Sequence, residues 1–253
     1  ITIFHNEKAK FSHLAFSLPQ NSLSSNKSFE FQKMEMQQAT ALLSKEQIRT
    51  LPAFQNLSTE NILVIQTLEQ CMAIQTELHA IAVFGFDTES KPTFKVGEKS
   101  TGPHLIQLST HEKAYLFQVK PDILNFLKPI LENEHQLKVG FGLKNDASSF
   151  RRKEINPQSM IDLSKSFSSF GYTHQVGIQT AIALLFQRYF VKSKKISTSN
   201  WAVKNLSPQQ ISYAAADAYA ALRSFEQLNQ QQLLTPQLQQ QITRILQGSA
   251  DKA

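Results

Sequence analysis

Two carboxylates one residue apart, Asp87 and Glu89, close the apolar run Ala-Ile-Ala-Val-Phe-Gly-Phe that begins at Ala80. The run has the length and the β-branched and aromatic content of a buried strand. Side chains alternate across a strand, so Asp87 and Glu89 leave it on one face. Like charges held that close repel, and a hard divalent cation such as Mg²⁺ or Mn²⁺ between them relieves the repulsion. A strand that ends in two solvated acids is the plainer alternative. An Asp-x-Glu pair by itself does not decide between the two.

Two more acids stand where they could join the pair. Asp146 follows a short strand expected over Leu137–Phe141 and the turn Gly140-Phe141-Gly142. Strand ends and the helices after them carry the ligand-binding groups of open α/β sheets. An acid early in a helix is also favoured simply by the helix dipole. Asp217 lies in Tyr213-Ala-Ala-Ala-Asp-Ala-Tyr-Ala-Ala221. Alanines let a helix approach a sheet closely, which would hold Asp217 near the other acids; a surface helix with an incidental Asp is the alternative. Tyr213, four residues earlier, shares the Asp217 face. Four clustered carboxylates call for two divalent cations, about 3.5–4 Å apart, as in two-metal phosphoryl displacement. Tyr213 could then orient the attacking water or help take its proton.

Other chemistries lack their residues. The seven histidines show no zinc spacing and the single cysteine, Cys71, has no partner thiol. Cys71 falls in an apolar-periodic segment and reads as core. Gly140-x-Gly142 lacks the remainder of a phosphate-loop fingerprint.

The elements that must position these residues follow from the pattern. Strands are expected over Asn61–Gln66, Ala80–Ser90, His104–Ser109, Ala114–Val119, Leu137–Phe141 and Met160–Leu163. Thr110–Lys113 suits an antiparallel hairpin. Helices are expected over Met34–Ile48, Thr67–Leu78, Pro121–Leu131, Asp146–Lys153, Ile178–Phe190, Pro208–Asn229 and Leu233–Gln247. Within the first, Ser44 with Glu46 and Gln47 resembles a helix start. Strands in antiparallel succession, then alternating with helices, predict an α/β domain with a mixed sheet. The chain divides into an arm over 1–58, irregular apart from a short helix; a main domain over 59–230; and a Gln-rich helix and tail over 231–253.

The chain has 253 residues, 41% of them hydrophobic, and a net charge of +6. Between Asp162 and Asp217 there is no acid, but there are Lys165, Arg188, Lys192, Lys194, Lys195 and Lys204. Such a stretch would draw a polyanion, or is a solvated basic loop. One cysteine allows no disulfide within the chain, which suits a reducing compartment. No apolar run approaches the ~18–20 residues that span a bilayer, and the N-terminus lacks the order of a signal peptide. The expected location is intracellular, in cytoplasm, nucleoid or nucleus, with no membrane partner. The chain begins without Met.

Phe86-Asp87-Thr88-Glu89, Val139-Gly-Phe-Gly-Leu-Lys-Asn-Asp146 and Tyr213-Ala-Ala-Ala-Asp217-Ala-Tyr219 resemble the three motifs of the DEDDy 3′–5′ exonucleases. Lys194-Lys-Ile-Ser-Thr-Ser-Asn-Trp201 and Leu206-Ser-Pro-Gln-Gln-Ile211 resemble the signature of the Werner-syndrome-protein-like branch. The resemblance covers Asn61 to Leu228. It implies the ribonuclease H-like (DnaQ-like) fold, and metal-dependent release of nucleoside 5′-monophosphates from nucleic-acid 3′ ends, with two Mg²⁺ or Mn²⁺ ions as cofactors. It makes Asp87, Glu89, Asp146 and Asp217 the metal ligands and Tyr213 the residue that positions water. Lys192, Lys194, Lys195, Asn200 and Trp201 become candidates for nucleic-acid binding. Trp201 could stack a base or pack its loop against the core, the commoner fate of a tryptophan. Phe141 leans towards the core in the same way. Two positions depart from the family: Ala216 stands where many relatives have Thr, and Ser90 where some have a bulky residue against the terminal base. Trimming of RNA 3′ ends or of short oligoribonucleotides, and binding without catalysis, are the competing functions.

Overall fold

The computed structural model describes residues 43–93, 97 and 101–250. Residues 1–42 of the arm, which include the first part of the helix expected from Met34, and the last three residues of the tail lie outside the described residues.

Helix α1 (Lys45–Thr50) starts at Ser44, whose hydroxyl accepts from the Gln47 N–H while the Gln47 side chain accepts from the Ser44 N–H. Ser44 itself is extended (φ −67°, ψ 157°), so the helix expected from Met34 does not run unbroken to Ile48. The hydroxyl takes a backbone N–H of the first turn and so marks Ser44 as the start of this helix. Strand β1 (Ile62–Ile65) leads into α2 (Leu68–Ala73) and α3 (Gln75–Ala80). The periodicity predicts one helix here, and Ile74 (φ −111°, ψ 5°) divides it. The bend lets Cys71, Ile74 and Leu78 all pack on one core.

Strands β2 (Val83–Glu89), β3 (Leu105–Ser109) and β4 (Ala114–Gln118) form the expected antiparallel succession. Helix α4 (Pro121–Leu131), β5 (Leu137–Gly140), α5 (Lys144–Arg151) and β6 (Met160–Asp162) follow. Helix α6 (Ile178–Phe186) stops four residues short of the expected Phe190, because Gln187 turns left-handed (φ 53°, ψ 47°). Tyr189 then pairs with the chain near the N-terminus. Its N–H donates to the Pro52 carbonyl, and its carbonyl accepts from the Phe54 N–H, both at 2.8 Å. Phe54, in the segment read as an arm, packs against Phe186, Phe190 and Tyr219. Short α7 (Lys194–Ser197), long α8 (Pro208–Gln230) and α9 (Pro236–Ala250) complete the chain.

The six strands lie in the order β1-β4-β3-β2-β5-β6. β1 with β4, β2 with β5 and β5 with β6 are parallel, and the two pairings of β3 are antiparallel. This is the mixed sheet flanked by helices that the pattern predicts. One face carries Phe84, Phe86, Ile106, Leu108, Tyr115 and Phe117 against α2 to α4. The other carries Leu105, Ala114 and Leu116 against α8. Among the described residues no helix is long and apolar enough to cross a membrane.

Candidate active site

Helix α8 brings the distant acid to the strand end. It starts with a capping box, Ser207 with Gln210, and Pro208 in its first turn. Ala214, Ala218 and Ala221 are buried, and a side chain at Gly85 would have its Cβ only 2.0 Å from the Ala218 carbonyl oxygen. Glycine on the strand and alanine on the helix allow this close approach, as the Ala-rich segment suggests. Asp87 and Glu89 lie on the same face as Gly85, two and four residues along, and Asp217 is fixed against them.

The carboxylate oxygens of Asp87, Glu89 and Asp217 lie within 4.8 Å of one another. Asp217 is 2% exposed, and its Oδ2 has no hydrogen-bond partner among the described residues. Its Oδ1 is 3.4 Å from Lys192 Nζ, which also sits 5.6 Å above the centre of the Tyr213 ring. Asp146, expected as the fourth member, stands outside this group of three. Its carboxylate accepts from the hydroxyl of Thr88, the residue between the two motif acids. That hydrogen bond ties Asp146 to the end of β2, close enough for its charge to act on Asp87 and Glu89.

The electrostatics match this crowding. Burial, then the charges of Asp217 and Asp146, push the Asp87 carboxyl well above its usual range, against a smaller pull from Lys192. Burial and Asp87 raise Glu89 to about 9. Burial also raises Asp217, opposed by Lys192 and Tyr213. Asp146 is raised by burial and held back by the Thr88 hydrogen bond. Lys192, partly open to solvent, gives up some hydration beside the cluster, but Asp217, Asp87 and Glu89 outweigh that and raise its pKa. Burial and the same carboxylates push the Tyr213 phenol up, so it stays protonated at neutral pH. The donor set is all oxygen and one buried oxygen lacks a partner, which fits a hard divalent cation. Asp87, Glu89 and Asp217 could hold it directly, with Asp146 beside them.

The remaining candidates spread out. Trp201 is 1% exposed, packs 6.1 Å from Tyr213 and donates its indole N–H to the Ser197 carbonyl, so its ring offers no base platform in this conformation. The Asn200 side chain accepts from the Ala202 N–H and shapes the loop. Lys194 and Lys195 are exposed on α7. Phe141 stacks on Phe167. Two positioning residues are not among the motif acids. Thr88 was visible as the middle of the first motif. Asp162, at the end of β6, accepts from the backbone N–H groups of Gly142 (2.9 Å) and Ser164 (3.0 Å). Its role depends on β6 lying beside β5, which local sequence does not state.

The 3′–5′ exonuclease family model matches residues 62–232. The mouse bifunctional 3′–5′ exonuclease/ATP-dependent helicase WRN is 30% identical over 151 residues, 58% of this chain and 11% of that protein. An exonuclease mut-7 homologue from Aedes aegypti is 25% identical over 199 residues, 69% of this chain and 27% of that protein. The chain thus spans well under a third of these relatives. The crystal structure of the Aedes aegypti Nibbler EXO domain superposes with a TM-score of 0.63 at 22% identity, over 76% of this chain and all of that one. With its mixed sheet and clustered carboxylates in that frame, the chain belongs to the 3′–5′ exonuclease family.

Proposed function

We propose that this chain hydrolyses the terminal phosphodiester bond at nucleic-acid 3′ ends and releases nucleoside 5′-monophosphates. The observation that carries the proposal is the group of three carboxylates within 4.8 Å, with the buried Asp217 Oδ2 unpaired. Two divalent cations, Mg²⁺ or Mn²⁺, would be held by Asp87, Glu89 and Asp217 with Asp146 alongside, and would supply an activated water and charge stabilisation for the leaving oxygen. Tyr213 keeps its proton and orients that water through its hydroxyl. Thr88 holds Asp146 in place. Lys192 balances the carboxylates and then offers its charge to the phosphate. Lys194, Lys195 and the Asn200 loop receive the strand through sequence-independent phosphate contacts. The catalytic unit in this proposal is residues 59–230, with the segment around Phe54 packed on it and the C-terminal helix as its cap.

End-labelled DNA and RNA strands incubated with Mg²⁺, Mn²⁺ or EDTA test this. A ladder from the 3′ end that EDTA abolishes is expected. Absence of any metal-dependent product on either strand type rejects the proposal.

A further inference from the structure

Gln107 lies in the middle of β3 and is fully buried. Neither end of its side-chain amide, Nε2 or Oε1, has a hydrogen-bond partner among the described residues. A buried donor and acceptor left unpaired are costly, so such a group in a folded chain calls for a reason. The sheet register supplies one. Gln107 stands directly opposite Asp87 on β2 and Leu116 on β4. Residues opposed across antiparallel strands project from the same face, with Cβ atoms about 5 Å apart. Leu105, two residues back on β3 and hence on that face, packs with Tyr213, Ala214 and Ala215 of α8. The Gln107 amide is therefore enclosed between sheet and α8, in the layer that holds Asp87 and Asp217. Two other polar side chains leave the sheet on this face beside it, and both are engaged. The Ser109 hydroxyl donates to the Thr110 and Lys113 carbonyls, and the Gln118 amide pairs with Gln66 and the Val203 carbonyl. Asp87 is the polar neighbour directly opposite.

We propose that Gln107 is a positioning residue for the metal site: its amide N–H donates to the Asp87 carboxylate when a divalent cation binds, and so fixes the orientation in which Asp87 meets the ion. The proposal rests on the metal-dependent function proposed above. The Asp87 Oδ1 already accepts from the Thr88 backbone N–H at 2.9 Å. An ionised carboxylate has room on its two oxygens for that bond, a cation and a further donor. A glutamine side chain is long enough to reach its cross-strand neighbour by rotation about its own bonds, with the backbone held in the sheet. A bound cation keeps Asp87 ionised, and an ionised acceptor makes the stronger hydrogen bond. An amide also suits the place by its charge. It adds nothing to the repulsion among the acids, as a carboxylate would, and it does not compete with the cation, as a second lysine beside Lys192 would.

Calorimetric titration of Mn²⁺ into the metal-free chain, with thermal melts of the same samples, tests this on Gln107→Leu and Gln107→Met, two apolar replacements of different shape. Both variants should bind Mn²⁺ about 10- to 100-fold more weakly than the wild type, the usual loss when a ligand's hydrogen-bonded support is removed. The metal-free melting temperature should hold or rise, because an unpaired buried amide has gone. Affinity and stability then part company, which a loss of packing would not produce. An unchanged Mn²⁺ affinity, a loss confined to one of the two variants, or a lower metal-free melting temperature places the amide's role in the fold and overturns the proposal. A wild type that binds no Mn²⁺ overturns it as well. Cleavage is read separately. Mn²⁺ binding that depends on Gln107 without any cleavage rejects the catalytic proposal and keeps this one, and metal-dependent cleavage by variants of wild-type affinity does the reverse.

Discussion

Lys138 and the carboxylate cluster bury charge on opposite faces of one sheet, and they resolve it by different means. Lys138, on β5, is fully buried, and its ammonium donates to the backbone carbonyls of Asn133 (2.8 Å) and Ile130 (3.2 Å) at the end of α4. Burial lowers its pKa to about 7. Its partners are built into the fold, and it closes a helix end. Across the sheet, Asp87, Glu89 and Asp217 are mainly one another's neighbours, and Lys192 offsets only part of their charge. A buried group whose hydrogen bonds end on backbone serves structure. A group whose neighbours repel it needs a partner from outside the chain, and this marks a working site.

The strongest way to break this contrast is to remove one acid. Asp87→Asn or Asp217→Asn should lower the cleavage rate on the order of 10³-fold. The melting temperature should hold or rise, because a repelling charge has gone. A variant that keeps its activity, or that loses it only by unfolding, would make the cluster structural like Lys138.

The two regions should also respond to pH with opposite sign. Glu89 holds its proton in the folded state up to about 9, well beyond its unfolded range. Between about 4.5 and 9 the folded state therefore binds more protons, and metal-free protein should lose stability as pH rises. Saturating Mn²⁺ should flatten that slope, as followed by thermal melts in a pH series. For Lys138 the unfolded state binds the extra proton between about 7 and 10.5, so its contribution to stability grows as pH rises. A metal-free melt that does not vary with pH, or that Mn²⁺ leaves unmoved, would remove the electrostatic argument.

Lys138→Met should destabilise by about 2 kcal/mol in urea titrations, since two buried carbonyls lose their donor. Activity per folded molecule should be unchanged, and an activity loss at constant stability would blur the contrast. The smallest effect belongs to the exposed lysines. Neutralising Lys194 or Lys195 should lower the salt dependence of single-strand binding by about 0.7 for each phosphate left without its cation. An unchanged slope would make α7 a solvated surface.

Most of the architecture was legible locally. Alternation placed Asp87 and Glu89 on one face, the polar Thr110–Lys113 stretch marked the hairpin, and helical spacing put Tyr213 with Asp217. The errors came where a distant segment intervened. Gln187 ends α6 because Tyr189 pairs with Pro52 and Phe54, more than 130 residues away in the chain. The division at Ile74 answers to a core assembled from α2 to α4.

The shared face of Asp87 and Glu89 follows from chain periodicity alone, because the face a side chain takes depends only on its nearest neighbours. Which acids would meet does not. The gathering of Asp217 with Asp87 and Glu89, the attachment of Asp146 to Thr88, the turn of Lys192 towards the acids and the unpaired Gln107 amide depend on strand order and on the approach of α8 to Gly85. Those are sums of many weak contacts between segments far apart in sequence, and no short stretch of residues encodes them.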